Sequence, residues 1–102
     1  MSKLISEKGS VRVETFGLSQ EQHNVVLEMI DKEKMSLGNY ELTSPDREMV
    51  NVWISDAHSE GEEDYAEFLR NALANEAEIY TLEDCLLGDV TQQIGEVAVF
   101  EI

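Results

Sequence analysis

The tightest constraint on this chain's fold is the length of one connection. Residues 40–43 and 49–54 both read as β-strands, and the turn Ser44-Pro45-Asp46-Arg47 fills most of the gap between them. A parallel crossover needs about a dozen residues or more, so so short a link implies an antiparallel hairpin. Met49-Val50-Asn51-Val52-Trp53-Ile54 carries the strongest strand signal. Val50, Val52 and Ile54 alternate onto one face, and Met49 and Trp53 onto the other. With both faces apolar, this strand is expected to be central and covered on both sides, or covered on one side by a partner.

The remaining segments fit round that hairpin. Val11-Arg12-Val13-Glu14-Thr15-Phe16 alternates, is rich in branched residues and reads as a strand broken by Gly17. Ser19 with Gln22 three residues on forms a capping box, which predicts a helix over 20–36 stopped by Gly38. Val26, Met29, Ile30 and Leu37 mark its apolar face, with His23 packed at the edge. Ser59 and Glu62 make a second capping box before a helix to about residue 75, with Tyr65, Phe68, Leu69, Ala72 and Leu73 inward. Residues 79–82 read as a strand, or Thr81 and Asp84 cap a helical turn through Leu87 ended by Gly88. Residues 90–94 and 96–102 read as strands with a bulge or bend at Gly95. Residues 1–9 read as a loose arm around Leu4 and Ile5. The expected fold is a single α+β domain: an antiparallel sheet of four to five strands with two helices on one face, the ferredoxin-like split β-α-β arrangement.

Charge narrows the partners. Seven basic residues face 22 acidic ones among 102, a formal charge of −15. Residues 1–51 hold nine acids and six bases; residues 52–102 hold 13 acids and one base, Arg70. Such a balance excludes a basic footprint for DNA or RNA and opposes docking on an anionic membrane. Solubility alone calls for a net charge of only about 2–8 in a small domain. The excess is either a functional surface or the acidic solvated surface of a protein from an acidic or salt-adapted proteome. No apolar run approaches the roughly 18 residues of a membrane span, residues 1–10 lack a signal-peptide core, and one cysteine cannot form an internal disulfide. A soluble cytoplasmic protein is expected.

Val13-Glu14-Thr15-Phe16-Gly17-Leu18-Ser19, Tyr40-Glu41-Leu42 and Val52-Trp53-Ile54-Ser55-Asp56-Ala57 together give residues 11–56 a weak resemblance to divergent receiver domains of signalling proteins. The resemblance implies an α/β fold with a phosphoryl-accepting aspartate at the end of its third strand, and Asp56 stands at that position. Gly17-Leu18-Ser19 stand where the family carries its acidic pair, which holds magnesium. The resemblance therefore implies a degenerate receiver used for protein contact.

Catalytic patterns are not assembled. Asp56 and His58, two residues apart, are too few for a zinc site, and Asp56 and Ser59 serve equally as turn or cap residues. The acidic setting of Cys85, beside Glu83 and Asp84, does not suit a nucleophile, and no glycine-rich phosphate loop occurs. The span 56–67 matches a calcium loop only at its ends and at Gly61. A non-enzymatic protein without cofactor or metal is expected. Glu60, Glu62, Glu63, Asp64, Glu67, Glu76, Glu78, Glu83 and Asp84 are the expected partner-binding residues. Acids three and four residues apart on a helix stand about 5–6 Å apart, a spacing of the same order as DNA phosphates. The expected partner is a basic, nucleic-acid-binding protein, blocked by mimicry of DNA; antagonists of host defence encoded by phages have this size and charge. Trp53, Tyr65, Tyr80 and Phe100 are candidate anchors if exposed, with Trp53, Phe68 and Phe100 expected in the core.

Overall fold

The computed structural model describes residues 3–85 and 92–102. Lys3–Lys8 (β1) and Val11–Phe16 (β2) form a hairpin in which every residue of β1 is in register, from Lys8↔Val11 to Lys3↔Phe16. Gly9, at φ 62°, supplies the left-handed turn conformation that a side chain would resist. The expected loose arm is thus an edge strand over residues 3–8. Gln20–Asp31 (α1) follows, with both halves of the Ser19–Gln22 capping box in place. It stops earlier than expected, because Lys32 is its C-cap and Glu33 takes φ 56°. Ser36–Leu37 (β3) and Tyr40–Thr43 (β4) then pair, with Gly38 in the turn between them.

The largest correction concerns residues 49–54. They lie in a helix, Arg47–Ser59 (α2), joined by the turn at Gly61 to a second helix, Glu63–Ala74 (α3). Read over six residues, Val50, Val52 and Ile54 alternate. Over thirteen, Val50, Trp53, Ile54 and Ala57 recur at steps of three and four, and these face the core while Val52 and Met49 stay half exposed. Pro45 followed by Asp46 at the N-cap starts this helix.

Glu78–Asp84 (β5) and Gln92–Glu101 (β6) complete the sheet. The strand alternative for residues 79–82 is the one formed; Leu87, Gly88 and Val90 lie outside the described residues. β6 is one strand through Gly95, and a register shift opposite Leu82 and Glu83 leaves Ile94 as the extra residue of a bulge. The sheet order is β1-β2-β6-β5-β4-β3, and every pair is antiparallel. The protein is therefore α+β, with six strands and three helices among the described residues. β6 and β5 both lie between β2 and β4, so the split β-α-β arrangement is not formed. Nor is the parallel sheet of a receiver-like α/β fold.

Both faces of the sheet are covered, which two helices on one face did not foresee. On one face Val13, Val97, Leu82 and Leu42 bury Val26 and Met29 of α1. On the other, Ile79, Ala98 and Phe100 bury Val50 of α2 and Phe68, Leu69 and Ala72 of α3. Each strand alternates between the two cores, with its side-chain period of two. His23, 1% exposed, ties α1 to the β1–β2 hairpin: Nδ1 lies 2.7 Å from Thr15 Oγ1 and Nε2 lies 2.8 Å from Ser6 Oγ. Burial holds its pKa below the ordinary value. The neutral ring needs one donor and one acceptor, and two hydroxyls satisfy either tautomer.

Candidate functional site

The α2–α3 turn gathers acids. Glu60 caps α2, Gly61 turns the chain at φ 77°, and Glu62 is the N-cap of α3. The capping box expected between Ser59 and Glu62 is not formed, because Ser59 still belongs to α2 and no side chain caps α3. Glu63 and Asp64 in the first turn of α3 favour its N-terminal dipole. Glu60, Glu62, Glu63, Asp64 and Glu67 are all exposed. Among the described residues, only Glu63 of these five has an ion-pair partner, an Arg70 guanidinium nitrogen at 3.6 Å, and it also lies within hydrogen-bond distance of His58 Nδ1, at 2.6 Å.

Beside the turn lies a cleft of about 610 Å³. Glu62, Glu63 and Asp64 line it together with Phe16, Tyr65 and Glu96. Glu96 is 4% exposed. It accepts hydrogen bonds from the Tyr65 hydroxyl and from Gln93 Nε2, the latter at 3.3 Å. Burial raises the Glu96 carboxyl above the ordinary carboxylate range, and the two donors pull it back without cancelling that rise. Burial, with the bond to Glu96, drives the Tyr65 phenol well above its usual value. The Thr81 hydroxyl, directly opposite Glu96 on β5, is buried without a hydrogen-bond partner among the described residues. Gly95 lets β6 pass close under the β2–α1 turn: a Cβ there would stand 2.2 Å from the Phe16 carbonyl oxygen.

The nine expected partner-binding acids do not make one array. Glu60, Glu62, Glu63, Asp64 and Glu67 share the α2–α3 corner. Glu83 and Asp84, half-buried, end β5 opposite Gln93 and Gln92, at the same end of the sheet as the cleft. Glu76 lies in the α3–β5 turn and Glu78 begins β5, both at the other end. Glu78 is in register with Val99 and so points to the α1 face, where it accepts from the Tyr80 hydroxyl. That bond is the main cause, with burial second, of a Tyr80 phenol pushed up to about 12.

Asp56 is exposed on α2 and does not end a strand. Asp56 and His58, two residues apart on a helix, point to different sides, and no group of three ligand-type side chains among the described residues is placed to hold a metal ion. Phe68 and Phe100 are core residues, whereas Trp53, Tyr65 and Tyr80 are half-buried. The exposed apolar side chains of α2 are Met49 and Val52. Glu96 was not among the expected site residues. Its signal is an acid on the same strand face as apolar Ala98 and Phe100.

No family model, no curated protein and no solved structure matches this chain.

Proposed function

We propose that this is a non-enzymatic binding protein whose acidic α2–α3 corner engages a basic, nucleic-acid-binding protein surface and blocks it, as an inhibitor that mimics DNA. A phage-encoded antagonist of a host defence complex is the type of protein this describes. One observation carries the reading: five exposed carboxylates, Glu60, Glu62, Glu63, Asp64 and Glu67, sit together on one helical corner, with an ion-pair partner described only at Glu63. Negative side chains held together on packed helices steer a cationic partner and lose little conformational freedom when it arrives. The neighbouring cleft, lined in part by three of the same acids, has room for an arginine or lysine side chain. Met49 and Val52, half exposed on α2, add apolar contact area.

The test compares the wild-type chain with a variant carrying Glu60→Lys, Glu62→Lys, Asp64→Lys and Glu67→Lys, each used as bait in a lysate at low and at high salt. Proteins captured by the wild type alone, released by salt, and displaced from duplex DNA by the wild type but not by the variant support the reading. Capture that is indifferent to both salt and charge reversal overturns it.

A further inference from the structure

Among the described residues, β1 is the outer strand at its end of the sheet, and its six residues are paired on one side only. The opposite edge is closed by the two residues of β3, too short to template another strand. The direction of the unpaired backbone groups on β1 follows from the hydrogen-bond pattern two strands in. The Ile102 amide donates to the Ser10 carbonyl at 2.9 Å. That bond flanks the Val11↔Glu101 pair, so Val11 and Glu101 do not bond each other, and Val11 turns its N–H and C=O towards β1. Its partner there is Lys8. By alternation, Lys8, Ser6 and Leu4 direct their backbone groups at β2. Glu7, Ile5 and Lys3 direct theirs outward.

The same three residues share one face of the sheet, because they stand opposite Arg12, Glu14 and Phe16. Ile5 is 53% exposed. The outward backbone therefore carries, in order, a base, an exposed apolar side chain and an acid. That order is self-complementary in an antiparallel pair.

We infer that β1 is a self-association edge, across which two copies of this chain join about a two-fold axis through Ile5. Ile5 then faces Ile5 of the second copy, Lys3 faces its Glu7, and Glu7 faces its Lys3. All three outward residues exchange backbone hydrogen bonds with the second copy. The alternatives fail on parity or on chemistry. An axis between Ile5 and Ser6 sets outward groups against inward ones. An axis at Leu4 sets Lys3 against Ile5, and one at Ser6 sets Ile5 against Glu7, so each opposes a charge to an apolar side chain. Long-range charge also favours this edge. Residues 3–16 hold three bases and two acids, a positive excess in a chain of net charge −15. The backbone groups of β1 make this pairing, and although Lys3 shares a pocket with Asp64 and Glu67 of the α2–α3 corner, the inference does not rest on the proposed function.

Sedimentation equilibrium from micromolar to millimolar concentration is expected to show twice the 11.5 kDa chain mass at the upper end. The chain mass alone throughout overturns the inference. Ile5→Pro removes an N–H that β2 does not use, so it is expected to give a folded monomer; a folded dimer overturns the edge. The register has its own test, which also decides the matter should the proline variant not fold. Lys3→Glu alone and Glu7→Lys alone each place two like-charge pairs across the axis and are expected to weaken dimerisation about tenfold; should Lys3→Glu, which also loses the Lys3–Glu14 pair, not fold, Glu7→Lys decides by itself. Mixed in equal amounts they regain opposite charges at both positions and are expected to form a mixed dimer. A mixture no tighter than either variant, or single variants as tight as the wild type, overturns the register.

Discussion

Glu14 and Glu96 are buried on the same face of the sheet, on the adjacent strands β2 and β6, each 4% exposed. They are accommodated by different chemistry. Glu14 is held by cations: Arg12 Nε lies 3.0 Å from Oε2 and Lys3 Nζ lies 3.6 Å from Oε1, while Arg12 also sits over the Phe100 ring, 4.6 Å from its centroid. Glu96 is held by a phenol and a side-chain amide. The contrast follows the distribution of bases along the chain. Three of the seven lie in the β1–β2 hairpin, and Arg70 is the last before residue 102. A carboxylate buried one strand further in has Tyr65 and Gln93 for company, and burial then favours its protonated form. One region of the sheet pairs its buried acid with cations; the other leaves its acids in water at the α2–α3 corner or raises the carboxyl pKa by burial.

The placement of Glu96 depends on Gly95, so the largest effect is expected there. In Gly95→Ala the new Cβ meets the Phe16 carbonyl oxygen at 2.2 Å and Leu18 Cδ1 at 2.5 Å. The first contact is backbone and cannot swing aside, so β6 must move away from the β2–α1 turn. A loss of about 3 kcal/mol in urea unfolding is expected. A loss below about 1 kcal/mol would show that the strand and the turn are not in such close contact.

Glu14→Gln tests the cationic side of the contrast. The amide cannot repay Arg12 and Lys3, and it brings its own N–H groups towards them. Lys3 and Arg12 are about two-fifths exposed, at 43% and 40%, so solvent screens part of the loss. A destabilisation of roughly 1–2 kcal/mol is expected, shrinking as salt is added. Equal or greater stability would mean that the two cations contribute nothing at Glu14.

How much of this was legible before the fold was known depends on the length over which each pattern holds. The capping box at Ser19 and Gln22 is local, and α1 begins where it predicts. Strand 11–16 alternates through its whole length and is found there. Residues 49–54 misled because six residues with three branched side chains satisfy a period of two, while the helical period needs Ala57 to declare itself. Neither face of the helix is wholly apolar, and the expectation of a central strand fell with that. β1 was unreadable for a related reason: Lys3, Glu7 and Lys8 look like solvated arm residues, and only the pairing with β2 gives them a face. At the candidate site, the acids at Glu60, Glu62, Glu63, Asp64 and Glu67 were visible as a run, because one turn and one helix carry them all. Glu76, Glu78, Glu83 and Asp84 belong to the same acidic stretch of sequence but not to the same surface, since β5 carries acids at both ends. Glu96 was hidden because its environment is built by Tyr65, 31 residues away.

Glu96→Gln sharpens the contrast most and is expected to change stability least. The carboxyl titrates above its ordinary value of 4.5 in the folded protein, chiefly because burial penalises its charge. Below about 4.5 it is protonated in both the folded and the unfolded chain, and its contribution is fully present. As pH rises through the raised folded value, the unfolded chain releases this proton first, and that stability is lost. Glutamine stays neutral throughout and keeps an oxygen to accept from Tyr65. Relative to the wild type, the variant is therefore expected to be level in acid and more stable at neutral pH, by about 1 kcal/mol or less. The general repulsion among the other acids is common to both chains and cancels in the difference. A difference that narrows as pH rises, or a variant less stable at neutral pH than in acid relative to the wild type, would mean that the hydrogen bonds from Tyr65 and Gln93 outweigh burial, and that Glu96 is ionised inside the sheet as Glu14's neighbour without its cations.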